Sequence, residues 1–165
     1  MSRSINVKRW HICVVSRVDS MKRERIIHLM SEERIGQELT VCGWVRTFRN
    51  DQFIALNDGS CIGNLQLVID RDAVPEETRK RITTGAALRA FGTLEASQGR
   101  GQATELRVSE LEILGDADPD AFPIQMKRHT LEFLREKAHL RFRTNTFGAV
   151  FRVRHALNYA VHSFF

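Results

Sequence analysis

An all-β five-stranded barrel followed by an α-helical segment is the fold class this sequence predicts. Three observations carry it. Five short segments with strand character fall between residues 39 and 114, and a helix-forming stretch separates the third from the fourth. Helical periodicity then takes over after a Pro- and Asp-rich connector. Five strands with a helix between the third and fourth is the order of an OB-fold barrel.

The elements follow in chain order. Residues 21–35 predict a short helix through Ile26, Ile27, Leu29 and Met30, stopped at Gly36. The first strand, Leu39–Phe48, places Leu39, Val41, Gly43 and Val45 on one face, and Gly43 inside it signals a bulge or sharp bend. The second, Gln52–Leu56, runs into Asn57-Asp58-Gly59-Ser60, read as a hairpin turn. The third, Ile62–Ile69, alternates Leu65, Leu67 and Ile69 with Asn64, Gln66 and Val68. Pro75–Ile82 has the proline and the paired acids, Glu76 and Glu77, of a helix start. The fourth and fifth strands, Ala87–Ala96 and Glu105–Leu114, flank the polar loop Ser97-Gln98-Gly99-Arg100-Gly101-Gln102. Beyond the connector, Lys127–Ala138 predicts a helix with Leu131, Leu134 and Ala138 on one face. Asn145–Phe165 predicts a longer one, capped by Thr144 or Asn145, with Phe147, Val150, Phe151, Leu157, Val161 and Phe164 along a buried face. The expected division is a tail over 1–20, a barrel over 21–115, a linker over 116–126 and a helical region over 127–165.

Composition narrows the function classes. The 165 residues are 42% hydrophobic and 27% charged, which excludes a disordered or fibrous chain. Cys13, Cys42 and Cys61 form no CxxC pair, which argues against a disulfide framework or a structural zinc site and fits a reducing compartment. The cytoplasm is the expected location. The basic residues 1–20 leave a mitochondrial transit peptide as the alternative, beside a poorly ordered tail or an upstream extension with Met21 as the natural start. No apolar run approaches the length of a membrane span. Formal charge is +5 over residues 1–30, −6 over 31–126 and +6 over 127–165. A basic balance favours a polyanion such as nucleic acid, while the acidic middle leaves only local arginines for contact there. A solvated basic surface without a partner accounts for the same charges.

OB barrels bind oligonucleotides on strands two and three, flanked by the loops joining strands one–two and four–five. Those places hold Phe53 on strand two, Gln66 on strand three, Arg49, Asn50 and Gln52 in the first loop, and Gly99, Arg100, Gly101 and Gln102 in the second. An exposed ring stacks an unpaired base for about 1–3 kcal/mol. A glutamine amide offers a donor and an acceptor to a base edge, and arginine offers a planar fork. Pattern alone leaves Phe53 equally at home in the core, Arg49 as a solvated loop charge, Gln66 as a surface residue and the glycines as a plain turn.

The motifs resemble a known family. They are Val41-Cys42-Gly43-Trp44-Val45-Arg46, Asn57-Asp58-Gly59-Ser60, Gly85, Gly99–Gln102 and Lys127-Arg128-His129-Thr130-Leu131-Glu132-Phe133-Leu134-Arg135-Glu136. His139-Leu140-Arg141-Phe142-Arg143-Thr144-Asn145 and Arg152-Val153-Arg154-His155 complete them. Together they resemble the N-terminal region of asparaginyl-tRNA synthetases, class II enzymes grouped with the aspartyl and lysyl synthetases. The Gly43-Trp44-Val45 strand is shared across that group, whereas the stretch 127–145 is similar to the asparaginyl members. The likeness covers residues 25–165 and leaves 1–20 unmatched.

The resemblance implies an anticodon-binding barrel in which Phe53 stacks on an anticodon base and Arg49 and Gln66 contact the central uracil. It places Arg107 near the last anticodon base; Arg46, Gln52 and Arg100 are further candidates for the same site. It implies tRNA as partner, with ATP and Mg²⁺ as cofactors and a homodimer for the whole enzyme; none of these cofactors, no catalytic residue and no metal site is assigned to this chain. Residues 127–165 resemble the start of a truncated class II catalytic domain. The Asn145–Phe165 helix resembles the beginning of its motif one, while the arginine-bearing motifs two and three are absent and no GxxxxGKS/T loop replaces them. The expectation is an N-terminal fragment that by itself neither activates asparagine nor charges tRNA, with asparagine-dependent pyrophosphate exchange as the test. A free-standing RNA-binding module, or a fragment of an aspartyl or lysyl relative, is the alternative.

Overall fold

The computed structural model describes residues 22–99 and 101–165. The tail expected over 1–20, and Arg100, lie outside the described residues. Five strands form the barrel: β1 (Glu38–Arg49), β2 (Phe53–Asn57), β3 (Leu65–Val68), β4 (Ala87–Ala96) and β5 (Thr104–Gly115). The sheet closes in the order β1-β2-β3-β5-β4. Its pairings are antiparallel except between β3 and β5, which run parallel. The helix α1 (Glu76–Lys80) lies in the crossover between β3 and β4 that this parallel pairing requires, with Pro75 immediately before it.

The long first strand explains the closure. Its N-terminal half pairs with β4 and its C-terminal half with β2. A register shift between Val45 and Thr47 marks the change, so the bulge sits two to four residues after Gly43. Gly43 serves the same bend by close approach: a Cβ there would lie 2.7 Å from the Asn57 carbonyl oxygen.

Alternation fills the interior. Val41, Val45, Ile54, Leu56, Leu65, Leu67, Leu88, Leu94 and Leu106 point inward and are buried. Each such side chain contributes about 1.5–3 kcal/mol relative to exposure.

The segment 21–35, expected as one helix, forms two 3₁₀ turns, Ile26–Leu29 and Glu32–Arg34. Ile26 and Leu29, three residues apart, enter the core, Met30 packs against it, and Ile27 stays exposed. One tight turn therefore satisfies the apolar pattern. Gly36, at φ 87°, then redirects the chain into β1.

β2 and β3 pair as the hairpin that the Asn57–Ser60 run signals, but that run is not by itself the turn. It opens a longer connection, residues 58–64, organised by Asn57, whose amide donates to the carbonyls of Cys61 and Gly63 and to Asn64 Oδ1. Asp58 Oδ2 accepts from the Ile26 N–H at 3.0 Å and Ser60 Oγ from the Ile27 N–H at 3.0 Å, which pins the first 3₁₀ turn to the barrel. Burial pushes the Asp58 carboxyl up, but hydrogen bonds from the Ser60 hydroxyl and from the Ile26 and Ser60 N–H groups outweigh it and hold the carboxyl below its ordinary value.

After β5 two helices follow, α2 (Leu131–Glu136) and α3 (Asn145–Phe164). The first is shorter than the expected 127–138. Thr130 caps it, accepting from the Phe133 N–H at 3.3 Å, and Lys137 leaves helical geometry. Of its expected face only Leu134 is buried; Leu131 and Ala138 are exposed. Thr144 caps α3 in the same way, at 3.4 Å from the Phe147 N–H. None of the apolar residues along α3 is buried, contrary to the buried face its periodicity predicts. No helix among the described residues is long and apolar enough to cross a membrane.

Candidate nucleic-acid interface

The outward positions of β1, β2, β3 and β5 form the site. Ile54 and Leu56 point inward, so Phe53 and Ala55 point outward; by the same parity Gln66 and Val68 leave Leu65 and Leu67 to the core. Cross-strand register then sets two adjacent rows. One runs Arg49, Phe53, Val68, Arg107. The next runs Thr47, Ala55, Gln66, Glu105. An aromatic ring and a valine thus lie between two exposed arginines, with an amide and a carboxylate one row away. Phe53 is half-buried and lies outside the core, which decides between the two places that pattern alone left open to it.

Local geometry at each end supports these rows. Asn50 and Asp51 both take positive φ, 54° and 52°, and the Gln52 N–H closes the turn on the Arg49 carbonyl at 3.1 Å. The tight reversal, residues 50–52, is therefore here, and it sets Arg49 directly opposite Phe53. Gln52 stays exposed beside them, its carbonyl accepting from the Ile69 N–H.

At the other end the β4–β5 connection folds onto the face. Ser97 Oγ donates to Glu105 Oε2 at 2.9 Å, and Gln102 Nε2 reaches Ser97 Oγ at 2.9 Å and Glu105 Oε2 at 3.4 Å. Gln66 Nε2 donates to the same carboxylate oxygen at 3.2 Å. The sequence reading missed Glu105. Its signal was strand parity: with Leu106 inward, Glu105 and Arg107 share the outward face.

The structure brings together Arg49, Gln52, Phe53, Gln66 and Arg107, but Arg46 is occupied elsewhere. It follows Val45 at the bulge, and its guanidinium donates to the Arg143 carbonyl and, at 3.2 Å, to Asn145 Oδ1. Burial lowers its pKa from the ordinary arginine value. The motif 141–145 is thereby tied to the barrel across a cleft of about 560 Å³. Arg143 lies over the Trp44 ring at 4.5 Å, and Arg152 donates to the Ser60 carbonyl at 3.2 Å. Gly85, at φ 97°, leaves room for Phe122 of the linker, whose ring a Cβ would meet at 2.8 Å.

Comparison with known proteins agrees with this geometry. Residues 39–114 match the family model described as an OB-fold nucleic acid binding domain. An asparagine–tRNA ligase of Parabacteroides distasonis is 51% identical over 90% of this chain and 32% of its own length. One from Porphyromonas gingivalis W83 is 52% identical over 88% of this chain and again 32% of its own. The chain belongs to the asparaginyl-tRNA synthetases, as their N-terminal part. It spans about a third of the length of the curated relatives it matches. The crystal structure of the asparaginyl-tRNA synthetase of Pyrococcus horikoshii, complexed with asparaginyl-adenylate, superposes with a TM-score of 0.74 over 87% of this chain and 34% of that one. At 23% identity that likeness is one of fold.

The synthetases use ATP, and three of the cations of residues 127–165 are engaged within the chain. Arg141 lies 4.8 Å from the Phe147 ring centroid, Arg143 is stacked on Trp44, and Arg152 is held by backbone carbonyls. Among the described residues no group of three or more His, Cys, Asp or Glu side chains could hold Mg²⁺. No chemical step through either group is assigned to these residues.

Proposed function

We propose that the outer face of the barrel binds the anticodon loop of tRNA, serving the asparagine-charging reaction of the whole synthetase. One observation carries this reading: Arg49, Phe53, Val68 and Arg107 form a continuous row across four strands, with Gln66 and Glu105 beside it. The chemistry suits a splayed single strand. The Phe53 ring receives an unstacked base, the Gln66 amide meets its edge, and Arg49 and Arg107 offer forks to a neighbouring base or phosphate. Gln52 and the described residues of the β4–β5 connection border this face. Arg46 has no part in it. The barrel supplies recognition; ATP-dependent ester formation belongs to the whole synthetase. The exposed stripe on α3 is a surface for self-association, and reduced cysteines, with Cys42 and Cys61 free, suit work in the cytoplasm.

The test is binding of fluorescent anticodon stem-loops from the asparagine, aspartate and lysine tRNAs. We expect the asparagine loop to bind tightest and Phe53→Ala to weaken it by about 1–3 kcal/mol without lowering the melting temperature. Equal binding of a loop with a scrambled anticodon would overturn the reading.

A further inference from the structure

We propose that the cleft between the barrel and the helical region binds an aromatic phosphate monoester the size of a mononucleotide, with the Arg143 guanidinium as its phosphate anchor. Trp44 faces Asn57 at one end of the β1–β2 pair and Arg49 faces Phe53 at the other, so the cleft and the Phe53 row are separate surfaces.

Charge in the cleft is one-sided. Its volume, about 560 Å³, is one that small molecules fill. Arg46, Arg143, Arg152 and His155 line it, and among the described residues no Asp or Glu does. Two of these cations spend donors on the protein itself. Arg46 donates to the Arg143 carbonyl and to Asn145, and Arg152 to the carbonyls of Gly59 and Ser60. Arg143 differs from both. Its Cζ lies 4.5 Å from the Trp44 ring centroid and 5.8 Å from that of Phe122, and its Nε is buried without a hydrogen-bond partner. Burial, and then the positive charge of Arg46, hold the Arg143 guanidinium below the ordinary arginine value. Carbonyl oxygens satisfy donors but leave the net charge uncompensated, and a guanidinium stacked on a ring can still present its edge as a fork.

The occupant follows from the rest of the wall. A phosphate monoester carries about 1.5–2 negative charges at neutral pH and three acceptor oxygens, which suits two neighbouring guanidiniums better than a carboxylate does. Trp44, Ile62, Phe142 and Phe151 are exposed hydrophobic residues, and all four converge on this cleft. Scattered singly they would need no account, whereas a cluster marks a ligand or interaction surface. Their rings offer stacking area to a flat ring system. Thr84 and Asn145 add a hydroxyl and an amide for the polar atoms between ring and phosphate.

Two measurements test this, with adenosine 5′-monophosphate as the probe. In equilibrium dialysis of the full chain we expect one saturable site. Arg143→Gln should weaken it about tenfold or more, the loss expected of a charge-assisted hydrogen bond. Arg143→Lys keeps the charge without the planar fork; it should also weaken binding, and it serves should the glutamine variant fold poorly. Adenosine and inorganic phosphate, each keeping only part of the contacts, should bind more weakly than the nucleotide. Binding that inorganic phosphate matches, or that both Arg143 variants leave unchanged, overturns the proposal.

The second measurement reads the place. Cys61 lines the cleft, whereas Cys42, opposite Arg89 on β4, lies outside it. The nucleotide should slow alkylation of Cys61 by iodoacetamide in proportion to its occupancy and leave the rate at Cys42 unchanged, as read by peptide mass spectrometry. Equal rates at Cys61 with and without the nucleotide overturn the site. Displacement of the nucleotide by an anticodon stem-loop overturns it too, because these guanidiniums would then belong to RNA.

Discussion

Phe53 and Val68 form an apolar strip flanked by Arg49 and Arg107, and this sets the division of labour among single side chains. The ring supplies affinity without choosing a base, because every base has a flat face. Choice must come from groups with directional donors and acceptors. Arg107 is one, exposed at the end of the row. We expect Arg107→Ala to weaken stem-loop binding by about 1–3 kcal/mol and to relax selectivity at the last anticodon base. Stem-loops varied at that base decide it. Uniform weakening, with a salt dependence shallower by about one ion, would assign Arg107 to a phosphate instead. Sequence placed Phe53, Gln66 and Arg107 on particular strands. It could not separate an outward Phe53 from an inward one, since half-buried aromatics occur on both faces of a small barrel.

At the scale of elements, the connection 58–64 shows how a loop can be structural. Asp58 and Ser60 reach back across the barrel end to the 3₁₀ turn that carries Ile26 and Leu29 into the core. The depressed Asp58 carboxyl has a pH consequence. A group whose folded pKa lies below its unfolded value adds stability above the unfolded value, and that stability is lost as pH falls through the folded one. The window therefore lies at and below the ordinary aspartate value of 3.8. Asp58→Asn should lower the melting temperature near neutral pH and flatten its fall across that acid window. A variant whose acid limb parallels that of the unaltered chain would refute the assignment. The Asn57-Asp58-Gly59-Ser60 run has the composition of a tight turn, yet the reversal with two positive-φ residues occurs at Asn50–Asp51. Both runs reverse the chain between antiparallel strands, and strand register, a long-range property, decides which of the two is tight.

Across the whole molecule, the basic C-terminal region meets the barrel at one cleft and then leaves it. Arg46 is one tie, through the Arg143 carbonyl and Asn145, beside Arg143 on Trp44 and Arg152 on the Ser60 carbonyl. We expect Arg46→Ala to speed proteolysis within residues 127–165 while leaving stem-loop affinity within about twofold, a change below the usual effect of a lost contact. A large affinity loss with unchanged proteolysis would return Arg46 to the RNA face. Beyond the cleft, Leu157, Val161 and Phe164 are exposed by 61%, 55% and 82% on α3, far more than a core-facing stripe would be. Such a stripe favours association. Sedimentation should show mass rising with concentration, and Leu157→Glu with Val161→Glu should suppress it. A chain that stays monomeric at high concentration would contradict this.

Alternation, turn chemistry and helix caps act over a few residues, so the sequence alone determined five strands, a crossover helix, a capped final helix and the inward faces of the first and third strands. Closure of the barrel, the alignment of Arg49, Phe53 and Arg107 in one row, the diversion of Arg46 to the helical region and the meeting of Gln66 with Glu105 were decided only by tertiary structure. Each depends on register between strands far apart in the chain. A shift of one residue turns every side chain of a strand to its opposite face, and no local pattern records which register the packed core selects.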